Sequence, residues 1–243
     1  MTAAVRRVTL VHGFLGSTED WDGVVQALGA EIDADRVALA ELGCESVEAA
    51  AHALAGRVTA RGAHALVGYS LGGRIALAAM AHLPAGMPLV LLSTGPGVED
   101  DAQRAARAAE DDARATAIRR DGLASFVDAW YRMPMFAALR ASPGFERVQA
   151  RRASGDGEFW ARCVAGCSPG RSAPRWDLLG RLAPGSAFAV GIEDDRYASN
   201  ADRAERTAPG LRIDRIAGAG HALPIEAPAA CAVIIKHALR TRP

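Results

Sequence analysis

The chain has 243 residues, half of them apolar, and its 28 lysine and arginine side chains balance 28 aspartates and glutamates. That length suits one large domain, or one core with a modest insertion. The balanced charge gives no electrostatic reason to expect binding to nucleic acid or to an anionic membrane. Residues 1–7 lack the features of a signal peptide, and no run approaches the roughly 20 apolar residues of a membrane span. We therefore expect a cytoplasmic protein without membrane insertion.

Six short apolar runs are typical of buried strands in a parallel sheet. They lie at 8–11, 36–39, 65–68, 88–92, 187–190 and 211–216. Alanine-rich segments with helical periodicity alternate with them, at 21–28, 47–60, 71–82, 202–207 and 229–239. Strands and helices that alternate in this way form βαβ units, so the sequence predicts an α/β fold with helices flanking a mostly parallel sheet.

Residues 99–176 interrupt that alternation. They carry arginine- and alanine-rich helical patterns, three of the four tryptophans and no convincing strand. We predict a helical cap at 99–176, inserted between two segments of one core at 1–98 and 177–243. A solvated helix face explains the alternating charge of 101–120 equally well.

The segment Val67-Gly68-Tyr69-Ser70-Leu71-Gly72-Gly73 carries the strongest chemical signal. It is a GxSxG motif between a predicted strand and a predicted helix, which is the context of a nucleophile elbow. Glycine at positions 68 and 72 allows the backbone to fold closely on itself and lifts the Ser70 hydroxyl clear of the sheet. A plain glycine-rich turn is the alternative in a chain of this composition.

Two further segments fit the same chemistry. His12-Gly13-Phe14-Leu15-Gly16 follows the first strand, where the Phe14 amide could join the Leu71 amide in an oxyanion hole. His221 lies in a glycine-containing loop between the last strand and the last helix, which suits a general base.

An acidic group is expected to orient His221, and the run Glu193-Asp194-Asp195 follows the strand at 187–190. The chain order serine, acid, histidine is that of α/β-hydrolases. Spacing alone does not separate Asp194 from Asp195 as the partner of the imidazole.

Cysteine usage favours a reducing compartment, because four cysteines are too few for a disulfide framework in a chain of this size. Cys163 and Cys167 could face one another on a helix and hold a metal ion. The other two are Cys44 and Cys231, and neither a histidine nor a second cysteine pair lies at ligand spacing nearby. We therefore expect no metal site.

These motifs together resemble those of one family, the 2-succinyl-6-hydroxy-2,4-cyclohexadiene-1-carboxylate synthases of menaquinone biosynthesis, which are lyases of the α/β-hydrolase fold. The resemblance covers most of the chain. In the core it rests on residues 11–16 with Trp21, on 68–76 with the arginine after the elbow, and on Ser93-Thr94-Gly95-Pro96-Gly97. In the cap it rests on residues 103–107, Trp130-Tyr131 with Pro134 and Phe136, and Arg152 before Gly157. Residues 40–46 depart from the family, many members of which carry an Asp-x-x-Gly-x-Gly turn there.

The resemblance implies the site and the reaction. Ser70 would be the base, His221 would accept the hydroxyl proton, and the family alignment favours Asp194 as the third member. The substrate would be a small polycarboxylate that loses pyruvate without a cofactor. Carboxylate binding would fall to Arg74, Arg107 and Arg152, and Tyr69 and Trp130 would shape the pocket wall.

Two alternatives stay open at this point. A Ser-His-Asp hydrolase of the same fold would cleave an ester, a thioester or a carbon–carbon bond through an acyl-serine. A catalytically silent module would bind a ligand or a protein, although a complete set of Ser70, His221 and Asp194 argues against it. The sequence makes no prediction about the oligomeric state.

Overall fold

The computed structural model of the protein describes residues 5–240. Residues 1–4, on which the signal-peptide expectation partly rests, and 241–243, the end of the second predicted core segment, lie outside that range. The strands are β1 (Arg6–Val11), β2 (Ile32–Val37), β3 (Ala65–Tyr69), β4 (Leu89–Leu92), β5 (Ala187–Gly191) and β6 (Arg212–Ile216). They form one sheet in the order β2-β1-β3-β4-β5-β6, with every neighbouring pair parallel. The predicted α/β class is confirmed.

The described α-helices of the sheet-bearing part number six: α1 (Asp22–Leu28), α2 (Val47–Arg61), α3 (Leu71–Ala79), α9 (Asp195–Thr207), α10 (Leu223–Glu226) and α11 (Pro228–Arg240). From β1 the chain crosses outward to β2 and then back past β1 to β3. Because such crossovers are right-handed, α1 and α2 lie on opposite faces of the sheet. In agreement, α1 packs against α11, whereas α2 packs against α3.

Burial explains which strands the sequence predicted well. Every residue of β3, β4 and β5 is buried, and these three strands appear in the sequence as continuous apolar runs. The edge strand β2 is mostly half-buried and carries polar side chains such as Asp35, which pairs with Arg57. The bounds predicted for this strand, 36–39, were therefore wrong. The strand ends at Val37, and a short 3-10 helix, Leu39–Leu42, follows it.

Two helix boundaries also differ from the prediction. Helix α9 begins at Asp195 rather than at 202, because the side chain of Asp194 caps it by accepting a hydrogen bond from the Tyr197 amide at 3.3 Å. Helix α3 ends at Ala79, and the residues to His82 continue as a 3-10 turn.

Five α-helices, two short 3-10 helices (Pro134–Phe136 and Trp176–Arg181) and no strand lie among the described residues between β4 and β5. The α-helices are α4 (Asp101–Asp121), α5 (Leu123–Tyr131), α6 (Ala137–Ala141), α7 (Phe145–Ala153) and α8 (Gly157–Gly166). This part covers the ends of the strands. The Phe14 ring, just after β1, meets the rings of Trp130 and Trp160 at 5.3 and 5.4 Å between centroids. The placement agrees with a cap, and its boundaries at 99 and 176 stay a prediction.

Within residues 5–240, no helix combines the length and apolar character that crossing a lipid bilayer requires.

Candidate active site

The GxSxG segment forms a tight turn at the carboxyl end of β3. Ser70 adopts φ 52° and ψ −113°, a conformation that side-chain-bearing residues rarely take. Its amide donates to the Leu92 carbonyl at 2.9 Å, and the Thr94 hydroxyl donates to the Ser70 carbonyl at 2.7 Å. Contacts from β4 and the residues after it therefore hold the strained serine backbone in place.

Glycine is required on both sides of Ser70 because backbones meet there. A Cβ on Gly68 would lie 2.5 Å from the Gly72 oxygen. A Cβ on Gly72 would lie 2.4 Å from the carbonyl oxygens of Val11 and His12. The elbow therefore packs directly against the end of β1, which brings Ser70 next to the segment that contains Phe14.

Ser70, His221 and Asp194 lie in hydrogen-bonding contact. The Nε2 atom of His221 is 3.0 Å from the Ser70 Oγ, and its Nδ1 atom is 2.7 Å from Asp194 Oδ2. In the tautomer that fits, Nδ1–H donates to the carboxylate and Nε2 accepts the serine hydroxyl. The arrangement can take a proton from Ser70 and hold it next to a buried negative charge.

The three neighbouring acids, which their spacing does not distinguish, differ in burial. Asp194 is 1 % exposed and holds the imidazole, whereas Glu193 and Asp195 are both exposed. Asp194 uses its second oxygen to cap α9, so the carboxylate is fixed from two sides. This geometry places Asp194, and not Asp195, against His221.

The surroundings of His221 disfavour its charged form. The ring is 3 % exposed and lies against the rings of Tyr69, Phe136 and Tyr197. Burial lowers the pKa of His221 from its ordinary 6.5, and the Asp194 carboxylate opposes part of that effect. The imidazole is therefore neutral, and able to accept a proton, at neutral pH.

A pH dependence follows from this direction. A base works in its neutral form, so kcat/KM should stay level from neutral pH down past 6.5 and fall only below it, as His221 becomes protonated. The measurement is kcat/KM between pH 4.5 and 8, with stability followed over the same range. An acid limb centred above 6.5 would contradict a buried neutral imidazole as the base.

Phe14 and Leu71, whose amides are predicted to form an oxyanion hole, both lie beside Ser70. Leu71 is the first residue of α3, where a backbone N–H has no acceptor within the helix and the helix dipole is positive. Phe14 and Leu71 line one cavity together with Ser70 and His221. Their role as an oxyanion hole stays a prediction.

That cavity has a volume of about 80 Å³. Cationic groups dominate its polar lining, which includes Arg74, Arg107, Arg114 and Arg196 beside a single acid, Asp111. An adjoining hollow of about 120 Å³ shares Arg74, Arg107 and Arg196. The site therefore suits an anionic small molecule with more than one negative group.

Arg74 differs from its neighbours in having an unpaired nitrogen. Its Nη1 atom is buried without a hydrogen-bond partner among the described residues, and burial lowers the pKa of the guanidinium. By contrast, Asp111 holds Arg107 at 2.9 Å and Arg114 at 2.5 Å. An unsatisfied buried donor is costly, so a carboxylate bound at Arg74 would relieve that cost.

Arg152 is not among the residues that line the cavity. It is 4 % exposed, donates to Asp20 Oδ2 at 2.7 Å, and also donates to the Tyr131 hydroxyl. Asp20 in turn accepts the Ser17 amide at 3.2 Å, just after the segment that carries Phe14. In this structure Arg152 therefore braces the segment that carries Phe14. Because it does not line the cavity, the structure does not place it for the predicted contact with substrate.

The two aromatic residues predicted to shape the pocket wall differ in position. Trp130 lines the cavity and packs against Phe14, with the Arg114 guanidinium 5.3 Å from its ring centre. Tyr69 is 4 % exposed and lies behind the lining, with its ring centre 5.4 Å from that of His221. Only Trp130 presents a surface to the cavity.

Sequence reasoning missed Glu226, which supports the loop that carries His221. Its carboxylate accepts the amides of Gly220 and Ala222, the residues on either side of the histidine. Burial raises the pKa of Glu226. The only signal in the sequence was a glutamate five positions after the histidine. That spacing does not by itself predict a contact, which depends on the short helix α10 bringing Glu226 back to the loop.

Comparisons with known proteins agree with this fold and site. Residues 10–234 match the sequence profile of the alpha/beta hydrolase family, so the chain is an enzyme of that superfamily. A Serratia proteamaculans protein named 2-succinyl-6-hydroxy-2,4-cyclohexadiene-1-carboxylate synthase is 30% identical over 241 residues, covering 94% of this chain and 91% of that one. The chain belongs to the family of these synthases.

Two other relatives extend the comparison. Protein PHYLLO, chloroplastic, from Arabidopsis thaliana is 27% identical over 246 residues, which cover 90% of this chain but only 14% of PHYLLO. The chain thus spans a small part of that much longer relative. The solved structure of MenH from S. aureus has a TM-score of 0.87 at 21% identity, covering 99% of this chain and 96% of that one, and supports the fold.

Proposed function

We propose that the protein acts in menaquinone biosynthesis, converting 2-succinyl-5-enolpyruvyl-6-hydroxy-3-cyclohexene-1-carboxylate to 2-succinyl-6-hydroxy-2,4-cyclohexadiene-1-carboxylate and pyruvate. Ser70, His221 and Asp194 form a hydrogen-bonded group, the catalytic relay. The observation that carries the proposal is that this relay adjoins a cavity in which Arg74 has a buried, unpaired nitrogen. The names of the relatives give the product, the substrate follows from the reaction that the family resemblance implies, and the cationic lining suits the carboxylates of both.

The first step is removal of a proton from carbon. As the Ser70 oxygen takes the proton beside the succinyl ketone, the Nε2 atom of His221 takes the serine hydroxyl proton, and the carbon–hydrogen electron pair moves into an enolate. Asp194 holds the imidazole in the required tautomer and stabilises the imidazolium that forms. The Phe14 and Leu71 amides would donate to the enolate oxygen, a contribution of about 3 kcal/mol per donor.

The second step is elimination. The enolate electrons return to form a double bond between ring carbons 2 and 3, the existing double bond shifts from carbons 3 and 4 to carbons 4 and 5, and the bond from carbon 5 to the enolpyruvyl oxygen breaks. The departing enolate takes up a proton and becomes pyruvate, so one proton leaves the ring carbon and one is gained by the product. His221 returns to its neutral form, and no bond between Ser70 and the substrate is needed.

Arg74 is expected to bind a substrate carboxylate through the nitrogen that the protein leaves unpaired. Arg74→Ala should lower kcat/KM for pyruvate release by about 100-fold, since a charge-assisted hydrogen bond contributes about 1.5–3 kcal/mol. The measurement is steady-state pyruvate release, corrected for the uncatalysed background.

Arg132→Ala is the matched control, because Arg132 is exposed and pairs with Asp128 on the protein surface. It should change kcat/KM by less than about 2-fold, as surface pairs contribute little. Equal losses in both variants, or a wild-type rate no greater than background, would refute the proposal. Turnover of simple esters in place of pyruvate release would instead favour a hydrolase.

A further inference from the structure

The fold brings three cysteines together beside the cavity. The Sγ atoms of Cys44, Cys163 and Cys167 all lie within 4.8 Å of one another, and none of the three side chains is more than 1 % exposed. Cys163 and Cys167 are one turn apart in and just after α8, and Cys44 comes from the loop that follows β2. None of them takes part in the proposed proton transfer.

We propose that these residues form a binding site for a thiophilic d10 metal ion, for which Zn²⁺ is the physiological candidate and Cd²⁺ the spectroscopic probe. Thiolate sulfur is the ligand that selects such ions. Zn–S bonds of about 2.3 Å require sulfur separations of about 3.8 Å, so each Sγ would move inward by at most about 0.6 Å. That adjustment is within the range of a small side-chain rotation.

Tight packing keeps the three sulfurs in place. A Cβ on Gly166 would lie 2.2 Å from the Glu45 carbonyl oxygen, which shows how closely the end of α8 meets the loop that carries Cys44. The thiols of Cys44 and Cys167 donate to the carbonyls of Leu39 and Cys44, each at 3.3 Å. These are weak hydrogen bonds, so the thiol protons can be displaced by a metal ion.

The fourth coordination position is expected to face the cavity. Cys163 and Cys167 line it, and among residues 5–240 no histidine, aspartate, glutamate or further cysteine completes the group. Three protein ligands plus one open position is the pattern of an exchangeable site in which water or a small anion is the fourth ligand. Three thiolates and one divalent ion carry a net charge of −1, which Arg74, Arg107 and Arg114 on the same cavity would offset.

Occupation of this site should affect the enzyme. The ion would lie on the wall of the cavity that the substrate enters, and its open position would compete for the substrate carboxylates. Metal binding is therefore expected to inhibit turnover, and a chelator should restore it. The binding itself does not depend on the proposed reaction.

The test uses the full-length protein, fully reduced and freed of metal. Titration with Cd²⁺ should produce the ultraviolet thiolate-to-cadmium charge-transfer band, saturating at one equivalent. Cys44→Ser, Cys163→Ser and Cys167→Ser should each weaken binding by at least about 100-fold, more than the loss of an outer-shell partner costs. Cys231→Ser is the matched control, because Cys231 is equally buried but lies in α11 with its thiol 3.5 Å from the Leu223 carbonyl.

A second measurement needs no variant. X-ray absorption of the wild-type protein with one equivalent of Zn²⁺ should show three sulfur neighbours at about 2.3 Å and one lighter atom. The site would be ruled out by the absence of the cadmium band, by a band that survives in all three cluster variants, or by a zinc shell of nitrogen and oxygen alone. If the protein does not release pyruvate but none of these three results is found, the proposed function is contradicted and the proposed metal site is not.

Discussion

Replacing Ser70 with alanine is expected to slow pyruvate release by about 10³-fold, because general base catalysis contributes about 10² to 10⁴ and Ser70 is the cavity residue whose hydroxyl contacts His221. That factor corresponds to about 4 kcal/mol of barrier height. The measurement is kcat at saturating substrate for the wild-type and Ser70→Ala proteins, with thermal unfolding of both to verify that the elbow is intact.

The same substitution does not by itself separate a serine base from a serine nucleophile, since an acyl-enzyme would be lost as well. Intact-mass measurement of the wild-type enzyme during turnover supplies the distinction. A lyase that uses Ser70 as a base should show only the unmodified mass, whereas an acyl-serine hydrolase should show an adduct. A Ser70→Ala variant with more than a tenth of the wild-type rate would exclude Ser70 from both roles.

The elements that the sequence predicts well are those whose stabilising contacts are local. The turn around Ser70 needs glycine at position 68 because the backbone of Gly72 and Gly73 crowds it, so this requirement lies within the motif itself, whereas glycine at position 72 is required by the carbonyls of Val11 and His12. The inner strands are equally clear, since burial on both faces requires an unbroken apolar run. Edge strand β2 has no such run, which is why the prediction slipped onto the apolar residues after it.

Contacts between distant segments that no motif marks could not be predicted. Arg152 meets Asp20 across more than 130 positions, and this pairing turns an arginine that resembles a substrate ligand into one that braces the Phe14 segment. Cys44 joins Cys163 and Cys167 in the same way. Residue types reveal which side chains are capable of a given chemistry, whereas the tertiary packing decides which of them share a partner.

The choice of acid in the relay depends on such packing and leads to the second large effect. Asp194→Asn should lower kcat by about 10⁴-fold, by analogy with the measured loss when the triad aspartate of a serine protease is made asparagine. The asparagine oxygen can still cap α9 by accepting the Tyr197 amide, so its amide group is left to face Nδ1 of His221. That group donates a hydrogen bond, and the imidazole must then carry its proton on Nε2, where it can no longer accept the Ser70 proton.

Asp195→Asn is the matched control, because it makes the same chemical change one residue further along on an exposed side chain that does not contact His221. It should leave kcat within about 2-fold of wild type, as surface substitutions away from a site usually do. Measuring both variants for kcat and for thermal unfolding separates catalysis from folding. Two outcomes would contradict Asp194 as the partner of His221: a large loss in Asp195→Asn, or full activity in both variants. In either case the imidazole would have another partner during turnover.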